Sequence, residues 1–477
     1  MSFYHECKTL TRRFRLVLAS FLQSDGLPFG NVLPEEEIER AFEEEGFALW
    51  ADNEEEDAVY TPPVTLWAFL SQMLHKDEQR SCVAAVARVM VLLVGLGREP
   101  CSGNTGAYCR ARAKLPEPVI RRLTLRMAKG CETAVPSQWL WHGRHAKLVD
   151  GTTASMPDTE ASQAEYPQNS AQAEGVGFPI VRMVVLFSLA TGMLCDMAMG
   201  PYQGKETGEL ALFRELFGSL EAGDIVLGDR CYCSYFTIAL LKELGVDFVV
   251  RLHQARTANF RRGQRLGSGD HLVEWIRPVR PEWMDQETYD RMPASIELRE
   301  VLVQVNQPGF RTRSLVVVTT LGDAEEYPAE EIAELYRGRW LAELDIRAIK
   351  ITLDMDVLRC KTPEMVRCEV WTHLLAYNLI RQSILQSAQA SGCSPRELSF
   401  TAAMQAIAAS WIVAVLSDRS IFGVLVDAHL TNLAGHRVGN RPDRVEPRAV
   451  KRRPKPHRLL TKPRAEARLE LLAGAST

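Results

Sequence analysis

Between residues 146 and 252, short apolar runs alternate with amphipathic helical patterns, and two of those runs lead into an aspartate. AKLVDGTTASM (146–156) predicts a strand running into a glycine turn, with Asp150 near its end. FPIVRMVVLFSLATGMLCDMAMG (178–200) predicts two strands joined at Ala190-Thr191-Gly192. KETGELALFRELFGSL (205–220) has helical spacing, and GDIVLGDRCYCS (223–234) reads as a short buried strand with Asp229 just past its apolar run. SYFTIALLKELG (234–245) returns to a helix and VDFVVRL (246–252) to a strand. A chain that alternates in this order buries its strands in a sheet under helices, which is α/β architecture.

The flanks differ. Residues 1–135 read as helical, with TLWAFLSQMLHKDEQRSCVAAVARVMVLLVGLG (65–97) carrying helical apolar spacing and ending in glycine. Arg110, Arg112 and Lys114, on the short helix of NTGAYCRARAKLP, could face phosphates, so this region is a DNA-binding candidate. Residues 251–314 hold Arg- and Gly-rich turns and then strand-like alternation, a β-rich insertion, before RSLVVVTTL (313–321) resumes a core strand. EVWTHLLAYNLIRQSILQSA (369–388) and AAMQAIAASWIVAVL (402–416) predict closing helices. The expected organisation is a helical region at 1–135, core segments at 140–250 and 315–395 around the 251–314 insertion, a helical and dimerising region at 396–435, and a basic, disordered tail at 436–477.

Charge is unevenly spread. Residues 35–57 hold twelve acids and one base, so a whole-chain net of −4 leaves +7 for the remainder. Residues 436–468 carry twelve Lys and Arg against three acids, the pattern of an arm for a polyanion or of a solvated tail. Eleven cysteines without a C-x-x-C pair argue against structural zinc and against a disulfide framework, and His142 and His145 in WHGRH fit a surface turn. No apolar run reaches the roughly 18 residues of a membrane span, and MSFYHECKTLTRRF has no signal-peptide core. A soluble, cytoplasmic, nucleoid-associated protein is expected.

ELYRGRWLAELDIRAIK (334–350) concentrates chemistry. At about 100° per residue, Tyr336, Arg339, Trp340, Glu343, Arg347 and Lys350 share one helix face, with Asp345 on the other side. A solvated, salt-bridged face would also give this pattern. Acids at the ends of two core strands and one on a late helix supply the hard oxygen donors that suit Mg²⁺ or Mn²⁺. Two such ions roughly 4 Å apart can activate an attacking oxygen and stabilise a leaving one. Asp150 and Asp229 would meet at one edge if their strands are neighbours.

At these residues the chain resembles a known family. Tyr336-x2-Arg339-x3-Glu343-x6-Lys350 resembles the Y-R-E-K signature of DDE transposases of the insertion sequence 4 family. LVDGTT around Asp150 and LGDRCYCS around Asp229 resemble that family's first and second acid blocks, and the likeness runs over roughly 145–380. The resemblance implies an RNase H-like catalytic core interrupted by a β-rich insertion, with Asp150, Asp229 and Glu343 as catalytic acids and ligands of two Mg²⁺ or Mn²⁺ ions. It implies that Tyr336, Arg339 and Lys350 contact DNA, with Trp340 and Arg347 on the same face. It further implies a cut-and-paste endonuclease and strand-transfer enzyme, working as a homodimer on paired inverted repeats and on target DNA. The resemblance implies that one strand is cut, that the freed 3′-OH attacks the opposite strand to make a hairpin, and that the hairpin is reopened before the 3′-OH joins target DNA.

One departure concerns the hairpin. Relatives that form it hold a flipped base with a Trp late in the insertion, whereas Trp275 and Trp283 lie earlier and no Trp occurs between 284 and 339. Two other readings remain open on sequence: a related metal-dependent nuclease without strand transfer, and a domesticated DNA-binding protein without catalysis.

Overall fold

The computed structural model describes residues 35–48, 59–95, 99–305, 314–416, 419–439 and 460–474. These fall into two compact units. A sheet unit takes Arg144–Leu186, Met197–Ala342 and the described part of the tail; a helical unit takes the N-terminal residues to Gly143, Phe187–Asp196 and Glu343–Gly439. The acidic run beyond 48 and the basic stretch 440–459 lie outside the described residues, as do 1–34.

The sheet has nine strands in the order β3-β2-β1-β4-β5-β9-β8-β7-β6. They are β1 (Ala146–Ser155), β2 (Ile180–Ser188), β3 (Leu194–Pro201), β4 (Ile225–Gly228), β5 (Asp247–Arg251), β6 (Gln264–Gly267), β7 (Asp270–Ile276), β8 (Ser295–Gln304) and β9 (Ser314–Thr319). β1, β4 and β5 are parallel neighbours, with Leu148 opposite Leu227 and Leu227 opposite Val249. Parallel strands are covered on both faces, and all four residues of β4 are buried. β5 then pairs antiparallel with β9, and β9, β8, β7 and β6 continue as antiparallel neighbours. Residues 251–305 therefore extend the central sheet itself. Their interior is held by buried charge: Arg299, fully buried, donates two hydrogen bonds to Asp270 at 2.9 and 2.7 Å and a third to the Tyr327 carbonyl at 2.6 Å.

In the helical unit the long helix Pro363–Ser391 is central. Thr362 caps its start, and Gly392 at φ +63° ends it in the left-handed conformation that suits glycine. Residues Val366 and Cys368–Ala388 are buried all round, so this helix is core rather than surface. Its polar side chains are matched individually: Asn378 accepts from the Leu194 amide at 2.9 Å and donates to the Leu194 carbonyl at 3.0 Å. Arg80, Glu369 and His373 form another buried cluster.

Three sequence expectations change. The run 65–97 is two helices, Pro62–Met73 and Cys82–Gly95, separated by a 3₁₀ turn at Asp77–Arg80 in which Asp77 has φ +52°. The break lets Arg80 turn inward to Glu369 and His373. β1 does not turn at Gly151 but runs on to Ser155. The segment 334–350 is not one helix: Ala329–Arg337 and Trp340–Arg347 are separate, and Ala348–Thr352 is a π turn.

Candidate active site

The two strand-end acids meet in register. β1 pairs with β4 as far as Leu148 opposite Leu227, so two residues further on Asp150 falls level with Asp229. The common step of two gives both side chains the same sheet face as those leucines. Asp150 lies mid-strand, where β1 has left β4, and its Oδ1 accepts from the Gly151 amide at 2.8 Å. Asp229 stands one residue past β4 and caps the 3₁₀ turn Arg230–Tyr232, its Oδ1 accepting from the Cys231 amide at 2.6 Å. Both are partly exposed, Asp150 where β1 runs on past its pairing with β4 and Asp229 just beyond the carboxyl end of β4, the side of a parallel sheet on which ligands usually bind.

A third carboxylate was missed by sequence reasoning. Glu209 opens the helix Glu209–Glu215 and is half-buried. Its oxygens sit 2.6 and 2.7 Å from the point where a side chain on residue 151 would begin, so Gly151 is the gap that admits them. Glu209 also lies beside Cys231 and Tyr232, and the buried Tyr232 hydroxyl has no hydrogen-bond partner. Burial, and then the Asp229 charge, push its carboxyl above the usual range. The same surroundings push the Cys231 thiol up to about 11 and the buried Tyr232 hydroxyl well above its ordinary value, burial being the main cause in each. Only the strand reading of Gly151, in place of a turn, could have pointed to Glu209.

Tyr336 and Arg339 join this group within the sheet unit. Arg339 stands 3.6 Å from the Asp150 carboxylate. Tyr336 is buried, and burial pushes its hydroxyl up to about 12, with Arg339 opposing and Asp229 reinforcing the shift. The joint between their helix and the next is tightened by i to i+3 bonds: Arg339 to Tyr336 at 3.1 Å, Leu341 to Gly338 at 3.0 Å and Ala342 to Arg339 at 3.0 Å. A 3₁₀ step turns roughly 20° more than an α step, so the single face drawn at a constant helical period does not hold across the segment.

Glu343 is the first residue of the returning helical unit. Lys350 lies on the π turn and pairs with Asp356 at 2.8 Å; Arg347 and Trp340 are exposed. Asp345 is fully buried. It accepts from Arg381 and, at 2.8 and 2.9 Å, from Arg396. Arg396 in turn donates to the Ser188 and Leu189 carbonyls at the tip of the β2–β3 hairpin.

The other expected DNA contacts divide. Arg110 is exposed. The Arg112 guanidinium lies 5.0 Å from the Phe69 ring and 5.5 Å from the Tyr108 ring, with Gln72 at 3.3 Å, so it packs against side chains of the helical unit. Trp275 is buried, donates to Glu300 at 3.2 Å and is covered by Arg256 at 3.7 Å. Trp283 is covered by Arg214 at 3.8 Å. Among the described residues, no group of three or more His, Cys, Asp or Glu side chains is drawn together closely enough to hold a metal ion. No described helix is long and apolar enough to cross a membrane.

Comparison with known proteins identifies the family. The family model of the transposase DDE domain matches residues 141–379, half of the chain. The chain is 27% identical over 402 residues to the transposase InsG of insertion sequence element IS4 from Escherichia coli K12, covering 82% of this chain and 85% of that protein. It is 22% identical over 303 residues to the transposase of IS231F from Bacillus thuringiensis subsp. israelensis, covering 56% and 62%. Among solved structures it aligns with a piggyBac transposase synaptic complex with hairpin DNA, at a TM-score of 0.41 and 9% identity over 91% and 88% of the two chains. The chain belongs to the DDE transposases, in the insertion sequence 4 group, enzymes that cut and transfer DNA strands.

Proposed function

We propose that this protein is a cut-and-paste transposase whose active site is built on Asp150, Asp229 and Glu343. The observation that carries the reading is the level placement of Asp150 and Asp229 on adjacent parallel strands. The strand order β3-β2-β1-β4-β5 with these acids on its two central parallel strands supports an RNase H-like core, and the strands of 251–314 serve as its β-rich insertion.

The donor set is compatible with Mg²⁺ or Mn²⁺: carboxylate oxygens, half-exposed, with no soft ligand needed. Asp150, Asp229 and Glu343 would hold two such ions, which when bound supply Lewis-acid stabilisation of charge on the phosphate oxygens. Arg339, beside Asp150, and the buried Tyr336 hydroxyl address the scissile phosphate as hydrogen-bond donors, and Lys350 adds a point charge. Tyr336 remains protonated at neutral pH, since its hydroxyl titrates near 12. Cleavage adds a water oxygen to phosphorus and expels the 3′ oxygen, which takes a proton. The resulting 3′-OH then attacks a target phosphodiester, exchanging one P–O bond for another. The protein works as a homodimer on paired transposon ends.

The test is the purified full chain with Mg²⁺ and a plasmid carrying the element. Flanking DNA should be released and the cut ends joined to a second plasmid. Asp150→Asn and Glu343→Gln should each lose at least a hundredfold in cutting, beyond the roughly 10–100-fold typical of residues that only support ligands. Unchanged cutting by either variant removes that residue from the site. Cutting without joining favours the nuclease, and a hairpin band on a denaturing gel reports the intermediate.

A further inference from the structure

Glu209 has no place in the three-acid scheme, yet it is built into the same corner. Its carboxylate occupies the space over Gly151, the residue after Asp150. It lies beside Cys231 and Tyr232, the second and third residues after Asp229. Glu209 therefore touches both acid blocks, 59 residues from the first and 20 from the second along the chain. An acid that served only to begin the helix Glu209–Glu215 could point to solvent. This one is half-buried, lies beside the buried and unpartnered Tyr232 hydroxyl, and reaches a space kept open by a missing side chain.

We propose that Glu209 is a fourth acid of the metal-holding set, adding to the affinity of the site for divalent cations. The inference rests on the assignment of Asp150 and Asp229 as metal-holding residues. Gly151 is a positioning residue for it, since any side chain there would displace the Glu209 carboxylate.

The experiment is a Mn²⁺ titration of the full chain, with free Mn²⁺ read by electron paramagnetic resonance and thermal melting followed on the same samples. Glu209→Gln keeps the shape and hydrogen-bonding capacity and removes the charge. It should weaken Mn²⁺ binding about tenfold or more, while the metal-free melting temperature stays near that of the parent. Gly151→Ala, which leaves Glu209 intact but pushes it aside, should weaken Mn²⁺ binding in the same direction and provides the answer if Glu209→Gln does not fold. Parent-like Mn²⁺ binding by Glu209→Gln, or by Gly151→Ala in its stead, while Asp150→Asn binds weakly, overturns the inference and leaves the three-acid site standing. Parent-like binding by Asp150→Asn, or no Mn²⁺ binding by the parent, removes the site assignment and this inference together.

Discussion

Two clusters of carboxylates show how differently one residue type can be used. In the sheet unit, Asp150, Asp229 and Glu209 lie half-exposed among backbone amides, a thiol, a phenol and Arg339 at 3.6 Å. In the helical unit, Asp345 is fully buried with two guanidiniums in direct hydrogen bond to it. The buried acid has its charge more than matched; the strand-end acids carry a negative surplus. Burying an ion is tolerated where partners match it in number and geometry, whereas unmatched charge in a cleft or at a strand edge is the setting in which functional sites concentrate. Glu343 and Asp345, two residues apart, therefore take different parts. Helical period alone separated their directions but said nothing of what waited on the far side.

The largest expected difference is in stability. Asp345→Ala leaves the buried Arg381 and the part-buried Arg396 without their common acceptor and should cost about 3–5 kcal/mol, read as a shift in urea midpoint. A loss below about 1 kcal/mol would mean that the cluster is not load-sharing in the way its burial implies. Helical period puts Asp345 away from the face of Glu343, but its burial makes it a poor neutral control for cleavage.

Next comes pH. His373 is fully buried, accepts from Arg80 at 3.1 Å through Nε2, and donates through Nδ1 to the Glu369 carbonyl at 2.9 Å. Burial first, and Arg80 second, lower its titration from 6.5 to about 3. A group depressed in the folded state contributes stability that is present above its unfolded pKa and lost as pH falls through the window from 6.5 toward 3. The helical unit should lose up to about 1.4 kcal/mol per pH unit in that window from this residue. His373→Gln should flatten the slope of urea midpoint against pH; equal slopes in parent and variant would assign the acid sensitivity elsewhere.

The smallest effect belongs to the strand edge. Asp229→Asn keeps the oxygen that caps Cys231 and removes one of several neighbouring negative charges. Its melting temperature in the absence of metal should stay within the range of a surface change, roughly ±0.5 kcal/mol, or rise. A loss of several kcal/mol would make Asp229 a structural acid and erase the contrast with Asp345.

The sheet was legible because apolar runs of four to nine residues recur between helical patterns, and the acids were legible because each follows such a run. What the run could not show is register, which only pairing of β1 with β4 supplies. Gly151 was legible as a glycine and misread as a turn, because its use depends on a carboxylate 58 residues away. The same holds for Arg112: a basic residue on a short helix looks solvated until Phe69 and Tyr108 are brought against it. The break at Gly338 and Arg339 escaped notice because neither residue forbids a helix; it is imposed by the bonds on either side.

Asn378 has a consequence for how the protein meets other chains. β3 is the outermost strand at its end of the sheet. At its first residue, Leu194, the side-chain amide of Asn378 bonds to both the N–H and the C=O, as the peptide of a further strand would. An open edge is a template on which a second polypeptide can add and from which aggregates grow. Here a helix side chain closes the template at its start, from inside the same unit, so self-association by edge pairing has no free register from which to begin at Leu194.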